Sequence, residues 1–343
     1  MIRGLVFLKS REITMRDLAE KLGVSTVTVS KALNDKEGVS DELKIKIKQM
    51  ADDMGYRINN LAKSMKEGRS YNIGVIIPQR FTGEVQSFYL RFYQEISTVL
   101  DQFQYSGILH ILSEEDEVHD VLPRIYYEKK VDGFILLGQI YKNYVEDMIQ
   151  TGIPIIFLDF YDNHTDIDSV VMDNFYGAYE LTNHLVDQGH QEIGFIGNIF
   201  STSSIQDRYL GYYKSLLENR LQLNPDYIIH DRDDRGTFID IHLPEKLPSA
   251  FVCNCDQVAF RLISQLRKSG YTVPGDVSVV GFDNDIYSTV ADPQLTTLEV
   301  DMHEMSKVAV KSIIAKVQNH TVSVGRVQIK GRIVYRDSVH LRG

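Results

Sequence analysis

Cysteine is scarce in this 343-residue sequence, which contains only Cys253 and Cys255. The two lie in alternate positions of one apolar run, and neighbours that close on a strand are poorly placed to form a disulfide. No additional cluster of Cys or His completes a zinc-binding pattern. We therefore expect two reduced thiols, no disulfide framework and no metal site.

Long apolar runs are also missing. The opening residues, MIRGLVFLKSRE, contain only a five-residue apolar-leaning run at 4–8, which is too short for a signal peptide. No later run approaches the roughly 18 apolar residues of a membrane span. These absences predict a soluble, cytoplasmic protein without a membrane partner.

Two sequence patterns that mark nucleotide-binding enzymes, GxGxxG and GxxxxGK[ST], do not occur. His184 and His190 flank one predicted helix end, but no nucleophile stands near them in the sequence. We therefore expect neither catalysis nor a cofactor.

Charge is divided unevenly along the chain. The whole sequence carries 37 Lys and Arg against 47 Asp and Glu, a net charge of −10. Residues 1–70 hold 14 of the basic and 10 of the acidic residues, whereas the remaining 273 hold 23 and 37. The N-terminal segment is therefore mildly basic and the body acidic, which favours contact of the former with a polyanion.

Residues 13–56 predict three short helices. Thr14, followed three positions later by Asp17, is typical of a capping box at the start of the first helix. Ser25 and Ser40 are the expected N-caps of the second and third helices. Two helices joined by a tight Gly-containing turn predict a DNA-binding helix-turn-helix, with a generic three-helix cap as the alternative.

The second helix has an unusual composition for a helix interior, because it is rich in valine, serine and threonine. Its small hydroxyl side chains suit phosphates and base edges, and Lys31 can reach further. Val29 and Leu33 are expected to face the core. Val27 is expected to point outward, where a valine could contact a thymine methyl group.

From residue 71 onward, apolar runs alternate with amphipathic stretches. The predicted strands are 72–78, 106–112, 132–138, 154–160, 192–198, 250–255 and 277–284. The predicted helices are 88–104, 116–130, 141–151, 175–189, 207–220 and 256–270. This alternation predicts parallel sheets covered by helices, and the number of strands favours two α/β subdomains.

The motifs ITMRDLAEKLGVSTVTVSKALND and VSDELKIKIKQMADDMGYRINNLAKSMK resemble the DNA-binding head of the lactose-repressor (LacI/GalR) family of bacterial transcription regulators. The resemblance continues in order through KKVDGFILLG, VVMDN, LVDQGHQEIGFIG, DRYLGY, VPGDVSVVGFDN and DPQLTTLEV. It implies an all-α helix-turn-helix head and an α/β periplasmic-binding-protein-like core of two parallel-sheet subdomains. The implied function is a DNA-binding regulator, expected to be a repressor, that works as a homodimer or tetramer.

The resemblance also implies the domain boundaries. The head is expected at 13–57, a hinge helix or linker at 58–71, and an effector-binding and dimerisation core at 72–343. Within that core, the first subdomain is expected at 72–171 and 301–325, and the second at 172–300 and 326–343.

On DNA, the family's pattern assigns base reading to Thr26, Val27 and Lys31. It assigns phosphate contacts to Ser25, Thr28, Ser30 and Asn34. It also implies minor-groove contacts by the hinge residues Ala62, Lys63 and Met65, where methionine replaces the family's usual leucine wedge.

For the core, the resemblance implies a small effector bound at the carboxyl ends of the strands. The implied ligand residues are Phe88, Tyr89, Asp159, Asp173, Ser204, Arg208, Cys255 and Asp283. Structural alternatives remain, because the aspartates at 159 and 173 could cap helices and the arginine could form an ordinary ion pair.

Acids, an arginine and aromatic rings suit a sugar or sugar derivative. Cys255 stands where the family often has an asparagine, and the loop 78–88 is longer than usual. A nucleobase, a nucleoside or a protein co-regulator therefore stays open as the signal, and a solute-binding protein is the alternative from another class.

Overall fold

The structure is a computed structural model that describes residues 13–57, 67–83, 88–164, 166–233 and 236–342. The predicted hinge residues Ala62, Lys63 and Met65 lie outside the described residues. The chain forms two compact units, which divide between Arg69 and Ser70. The first unit contains the head, and the second contains the α/β body.

The head contains three helices: α1 (Met15–Leu22), α2 (Thr26–Leu33) and α3 (Asp41–Asp53). The predicted capping box is present, because the Thr14 hydroxyl accepts from the Asp17 amide and the Asp17 carboxylate accepts from the Thr14 amide at 2.8 Å. Gly23 ends α1 with a φ of +67°, a left-handed conformation that glycine adopts without strain.

A small core holds these helices together. It consists of side chains that are almost completely buried: Leu18, Ala19, Val29, Ala32, Ile47 and Ala51. Two of these residues come from each helix, so α2 is stabilised by packing despite its poor intrinsic helix propensity.

The body contains strands β1 (Asn72–Pro78), β2 (Ser106–Leu112), β3 (Gly133–Leu137), β4 (Ile155–Leu158), β5 (Ser169–Met172), β6 (Ile193–Ile196), β7 (Ile228–Ile229), β8 (Ala250–Cys253), β9 (Ser278–Asp283), β10 (Thr296–Glu299), β11 (Arg326–Ile329) and β12 (Arg332–Val334). Its helices are α4 (Phe88–Gln102), α5 (Glu114–Val118), α6 (Arg124–Tyr127), α7 (Lys142–Gln150), α8 (Asn174–Asp187), α9 (Ser203–Glu218), α10 (Asp256–Lys268), α11 (Ile286–Val290) and α12 (Met302–Gln318). Two 3-10 turns, Gln79–Phe81 and Pro225–Tyr227, complete the described elements.

The strands form two six-stranded sheets, as the alternating pattern predicts. The order in the first sheet is β11-β5-β4-β3-β1-β2, and all of its pairs are parallel. The order in the second is β12-β10-β9-β8-β6-β7, where only β12 pairs antiparallel. Helices cover the sheets, so central strands such as β3 and β4 are buried along their whole length.

Several details differ from the sequence-based expectations. The predicted helix at 116–130 is broken into α5 and α6, and Pro123 stands directly before α6, where its missing N–H is not needed. The helices α11 and α12 and the strands β5, β7, β10, β11 and β12 were not predicted. Because β11 pairs with β5, the first sheet continues to Ile329, four residues past the expected subdomain boundary at about 325.

The turn before β11 is held by one buried carboxylate, that of Asp168. It accepts hydrogen bonds from the Ser323 hydroxyl at 2.7 Å and from the amides of Val324 and Gly325 at 3.1 and 2.8 Å. The Lys316 ammonium lies 3.0 Å from its second oxygen. Burial raises the pKa of this carboxyl, but these hydrogen bonds outweigh burial and hold the pKa below its ordinary value.

We expect Asp168→Ala to lower the free energy of unfolding of the body by about 2–4 kcal/mol, because it removes several charge-assisted hydrogen bonds and leaves Lys316 unpaired. Urea denaturation measures the loss. The exposed Asp226→Ala is the control and should change stability by less than about 0.5 kcal/mol. The wild-type advantage should shrink as the pH falls through the depressed pKa, since the acid is then neutral in both states. Equal stability of the two variants would contradict this role of Asp168.

Candidate functional site

The exposed side of α2 carries the residues expected to read DNA. Ser25 is the N-cap, and its hydroxyl accepts from the Thr28 amide at 3.0 Å. The expected base-reading side chains, Thr26, Val27 and Lys31, are all exposed, and 63% of the Val27 surface is accessible. Lys31 forms no ion pair with any described residue, so its charge remains available to a ligand.

The expected phosphate-contacting residues surround that face. Ser25 and Asn34 are exposed, whereas Thr28 and Ser30 are half-buried. The Asn34 side-chain amide donates to the Ser30 carbonyl at 2.8 Å and closes the end of α2. Two helix-end caps and the buried Val29 therefore fix the helix, while its hydroxyl-rich side remains open.

We expect Ser25→Ala to destabilise α2 by about 1 kcal/mol, because the cap hydroxyl satisfies a helix-end amide. Val27→Ala should leave stability within about 0.5 kcal/mol, since this side chain is mostly exposed. Amide hydrogen exchange in the full chain measures both, and protection of the buried Val29 amide should fall about fivefold in the first variant. A larger loss for Val27→Ala would show that this valine packs within the protein.

A cavity of about 450 Å³ lies in the body, at the carboxyl ends of the strands. Both subdomains line it, and seven of the eight expected effector residues are present. Those seven are Phe88, Tyr89, Asp159, Ser204, Arg208, Cys255 and Asp283. A volume of this order suits a small organic ligand.

Asp173 is the exception, and its expected ligand role is not supported. Its carboxylate accepts from the Tyr176 amide at 3.1 Å and caps α8, and it does not line the cavity. The helix-capping alternative therefore describes Asp173, because the crossover from β5 leads directly into the first turn of α8.

Each sheet delivers one aspartate to the cavity from a strand end. Asp159 follows β4 with a φ of +64°, and Asp283 ends β9 with a φ of +105°. Positive φ is uncommon for residues with a side chain, and such strain is concentrated at functional sites. The well-packed parallel strands hold both residues in this conformation.

Arg208 connects three segments of the second subdomain. Its Nε donates to the Asn174 side chain at 2.7 Å, its Nη1 donates to the Asn254 carbonyl, and its Nη2 lies 3.4 Å from the Asp283 carboxylate. The guanidinium also lies 3.7 Å from the centre of the Phe282 ring. Its planar cation is therefore held in one orientation at the cavity wall.

Burial changes the ionisation of both cavity aspartates. It raises the pKa of Asp159 to about 6, although Arg208 and a 2.9 Å hydrogen bond from the Tyr89 hydroxyl oppose the shift. It raises the pKa of Asp283 to about 8; Arg208 opposes the shift, while Asp285 and Asp159 add to it. A ligand that supplies a proton, a cation or hydrogen-bond donors would therefore stabilise both buried carboxyl groups.

The sequence did not indicate Arg232, the other buried cation of this wall. Its guanidinium pairs with Asp231 at 2.7 Å, donates to the Asn254 side chain at 3.1 Å and lies 4.7 Å from the Phe238 ring centre. Its Nη2 is 4.0 Å from the Cys255 sulfur. Burial raises the pKa of Cys255 to about 12, so this residue faces the cavity as a neutral thiol.

The loop after β1 reaches the cavity, as its length predicts. Arg80 and Phe81 line the cavity, and Arg80 forms an ion pair with the fully buried Glu117. Glu117 in turn accepts from the Tyr141 amide at 2.7 Å. The part of this loop at 84–87 lies outside the described residues.

The described ranges contain no cluster of three metal-ligating side chains. Within those same ranges, no helix is both long and apolar enough to cross a bilayer.

Comparison with known proteins supports both units. Residues 14–59 match the family described as bacterial regulatory proteins, lacI family, and residues 182–339 match a periplasmic binding protein-like domain. The chain is 28% identical to the HTH-type transcriptional regulator RegA of Clostridium saccharobutylicum over 95% of this chain and 98% of the relative. It is 27% identical to catabolite control protein A of Priestia megaterium over 95% and 99%, and 26% identical to the repressor PurR of Vibrio campbellii over 95% and 98%.

Solved structures share the fold. The lac repressor dimer bound to operator and an anti-inducer superposes with a TM-score of 0.71 at 23% identity, covering 96% of this chain and all of that one. The regulator CelR in complex with cellobiose gives 0.68 at 20% identity, covering 95% and 100%.

A helix-turn-helix head joined to a two-subdomain binding core defines a transcriptional regulator with a DNA-binding and an effector-binding domain. The chain carries a LacI-type helix-turn-helix domain and a periplasmic-binding-protein-like domain, and its relatives are regulators of the LacI family. The relatives are regulators rather than enzymes, which agrees with the expectation of no catalysis.

Proposed function

We propose that this protein is a cytoplasmic repressor that binds operator DNA as a homodimer and responds to a sugar or sugar derivative in the body cavity. The observation that carries the effector class is Arg208, a guanidinium held against Asp283 beside aromatic rings. Sugars need paired donors and acceptors for their hydroxyls and flat apolar faces for their C–H groups, and this wall offers both.

A purine-type ligand is the second candidate, because repressors named PurR are among the relatives. A flat base is commonly held between parallel ring faces. Here Phe88 packs edge-on against Tyr89, at 86°, and Phe81 is tilted by 36° from the same ring. The rings therefore pack on one another, which favours a sugar over a base.

The proposed mechanism is linkage between effector and operator. Asp159 belongs to the first subdomain and Arg208 with Asp283 to the second, so a ligand that contacts all three favours one relative placement of the subdomains. A coupling free energy of about 1–3 kcal/mol would change operator affinity roughly 5- to 150-fold.

On DNA, we propose that Thr26, Val27 and Lys31 read bases in the major groove and that Ser25, Thr28, Ser30 and Asn34 contact phosphates. The exposure of the three base-reading residues on α2 and of the caps Ser25 and Asn34 supports this assignment. Ala62, Lys63 and Met65 remain proposed minor-groove residues on the resemblance alone. Two copies would place two α2 helices on two half-sites and double the number of phosphate contacts.

We expect Lys31→Ala to weaken operator binding about 10- to 100-fold, because a lysine contact to a base edge contributes about 1–3 kcal/mol. Binding to random DNA should fall much less. Fluorescence anisotropy at fixed salt measures both affinities. Lys46→Ala, an exposed charge on α3, is the matched control and should affect the two DNAs equally. Equal losses on both DNAs for Lys31→Ala would indicate a phosphate contact rather than base reading.

We expect Arg208→Met to abolish the effector response while operator affinity stays within about threefold, because methionine keeps an apolar side chain of similar length and removes the guanidinium over Phe282. The measurement is operator binding with and without a panel of sugars at millimolar concentration. Arg267→Met, which removes a surface ion pair with Asp292, is the control and should respond like the wild type. A normal response of the Arg208 variant would exclude Arg208 from the effector site.

A further inference from the structure

Two of the three arginines of the effector cavity are already paired with buried acids. Arg80 is paired with Glu117, Arg232 lies 2.7 Å from Asp231, and Arg208 lies 3.4 Å from Asp283. Glu117 and Asp231 are completely buried beneath the cavity wall, so the first two cations are neutralised in place. An anionic ligand would therefore have to compete with acids that are part of the fold.

Asp159 has no such partner. It is 5% exposed, and the structure gives it no basic group within ion-pair distance among the described residues. Its Oδ2 accepts the Tyr89 hydroxyl at 2.9 Å, whereas its Oδ1 accepts no hydrogen bond from the described residues. Asp159 also lines the cavity, so a ligand there can reach its carboxylate.

A second carboxylate of the lining, that of Asp285, adds to the negative charge. It accepts from the Tyr287 amide at 2.8 Å as the cap of α11 and forms no ion pair with the described residues. The three arginines of the lining thus face Asp159, Asp283 and Asp285, and two of the three also have their own acids behind them. Asp159 and Asp285 are therefore the carboxylates of the described lining that form no ion pair.

Aromatic rings also line the cavity, and two of them pack on Tyr89, the hydrogen-bond partner of Asp159. The ring of Tyr89 lies 5.0 Å from Phe81 and 5.2 Å from Phe88, measured between ring centres, and all three line the cavity. Gly138 contacts the same group, since a Cβ there would stand 3.1 Å from the rings of Phe81 and Tyr89. A cavity that contains both a carboxylate and aromatic rings suits an ammonium group, which can bind either.

We propose that the effector carries a protonated amine, as in an amino sugar, and that this ammonium group binds the Asp159 carboxylate. The amine donates to Oδ1, the position that no described residue fills, while the sugar hydroxyls contact the wall around Arg208 and Asp283. This inference rests on the proposed sugar-sensing function and specifies its ligand. An ammonium group would form an ion pair with the Asp159 carboxylate, which a neutral sugar cannot form.

The test uses the full chain and three matched pairs of hexoses: glucose and glucosamine, galactose and galactosamine, mannose and mannosamine, each at several millimolar. Thermal shift detects binding, because a ligand of the native state raises Tm, and titration calorimetry gives Kd. At pH 7.5, we expect one amino sugar to bind at least about tenfold more tightly than its parent hexose, the factor expected for a charge-assisted contact. N-acetylation of that amino sugar should abolish the preference.

Asp159→Asn tests the residue directly, since the amide keeps the shape and removes the charge. The preference for the amine over the parent hexose should fall at least about tenfold in this variant. Asp226→Asn, an exposed acid outside the cavity, should leave the preference unchanged. The Tm of the unliganded Asp159→Asn protein reports whether the variant is folded.

Lowering the pH provides a readout that a merely structural role would not change. Because the pKa of Asp159 is about 6, this carboxyl is mostly protonated at pH 5, and amine binding to the wild type should weaken about tenfold between pH 7.5 and 5. The groups facing it are Tyr89 on α4, Arg208 on α9 and Asp283 on β9. The Asp159→Asn protein should lose most of this pH dependence.

Equal or tighter binding of a parent hexose would overturn the amine proposal and leave the sugar-sensing function standing. A lack of binding by all three amino sugars would also overturn it. Loss of operator binding by the unliganded wild type would instead contradict the regulator function itself, so the two failures are distinguishable.

Discussion

The effector cleft depends on the hydrogen bonds and the ion pair that the Arg208 guanidinium forms. A buried cation has to be satisfied by hydrogen bonds and charge, and Arg208 obtains them from the start of α8, the segment after β8 and the end of β9. Its position is set by helix packing. Gly211, one turn further along α9, lies so close to α8 that a Cβ there would stand 2.0 Å from the Phe175 carbonyl oxygen. The glycine thus permits the close approach that places the arginine beside Asn174.

From this fixed point, the two halves of the cavity acquire different roles. The second subdomain supplies a wall whose polar groups are already hydrogen-bonded to one another. Arg208 and Arg232 both donate to Asn254, and the Asn254 side chain donates to Asp231. The first subdomain supplies Asp159, whose carboxylate has only a tyrosine hydroxyl as a partner. A ligand therefore adds few new hydrogen bonds to the second wall, whose groups are already paired, and supplies a missing partner to the first wall. This asymmetry is what linkage needs, because an effector shifts an equilibrium only through contacts that differ between the two states.

Local sequence chemistry predicted the head and the parallel sheets, whereas the cleft residues were predicted from the resemblance to a known family. Ser25 is a strong N-cap and β3 is a continuous apolar run, so neither depends on distant residues. The strand β11 was missed because RVQI alternates half-buried and exposed positions at a sheet edge. Arg232 was missed for a different reason. Its partner Asn254 is 22 residues away, and a charge-rich stretch such as HDRDD is indistinguishable by sequence from a solvated loop.

The composition of α2 follows from what its two sides contact. Packing against α1 and α3 requires only Val29 and Ala32 to be buried, with Leu33 in partial contact. Caps at both ends supply the remaining order, since Ser25 satisfies a free amide at the start and Asn34 closes the last turn. Intrinsic propensity is then of little importance, and positions 26, 27 and 31 are released from any structural requirement. Val27 is 63% exposed and contributes little to the packing of the head, so this position is free to serve the contact with a thymine methyl group that we propose.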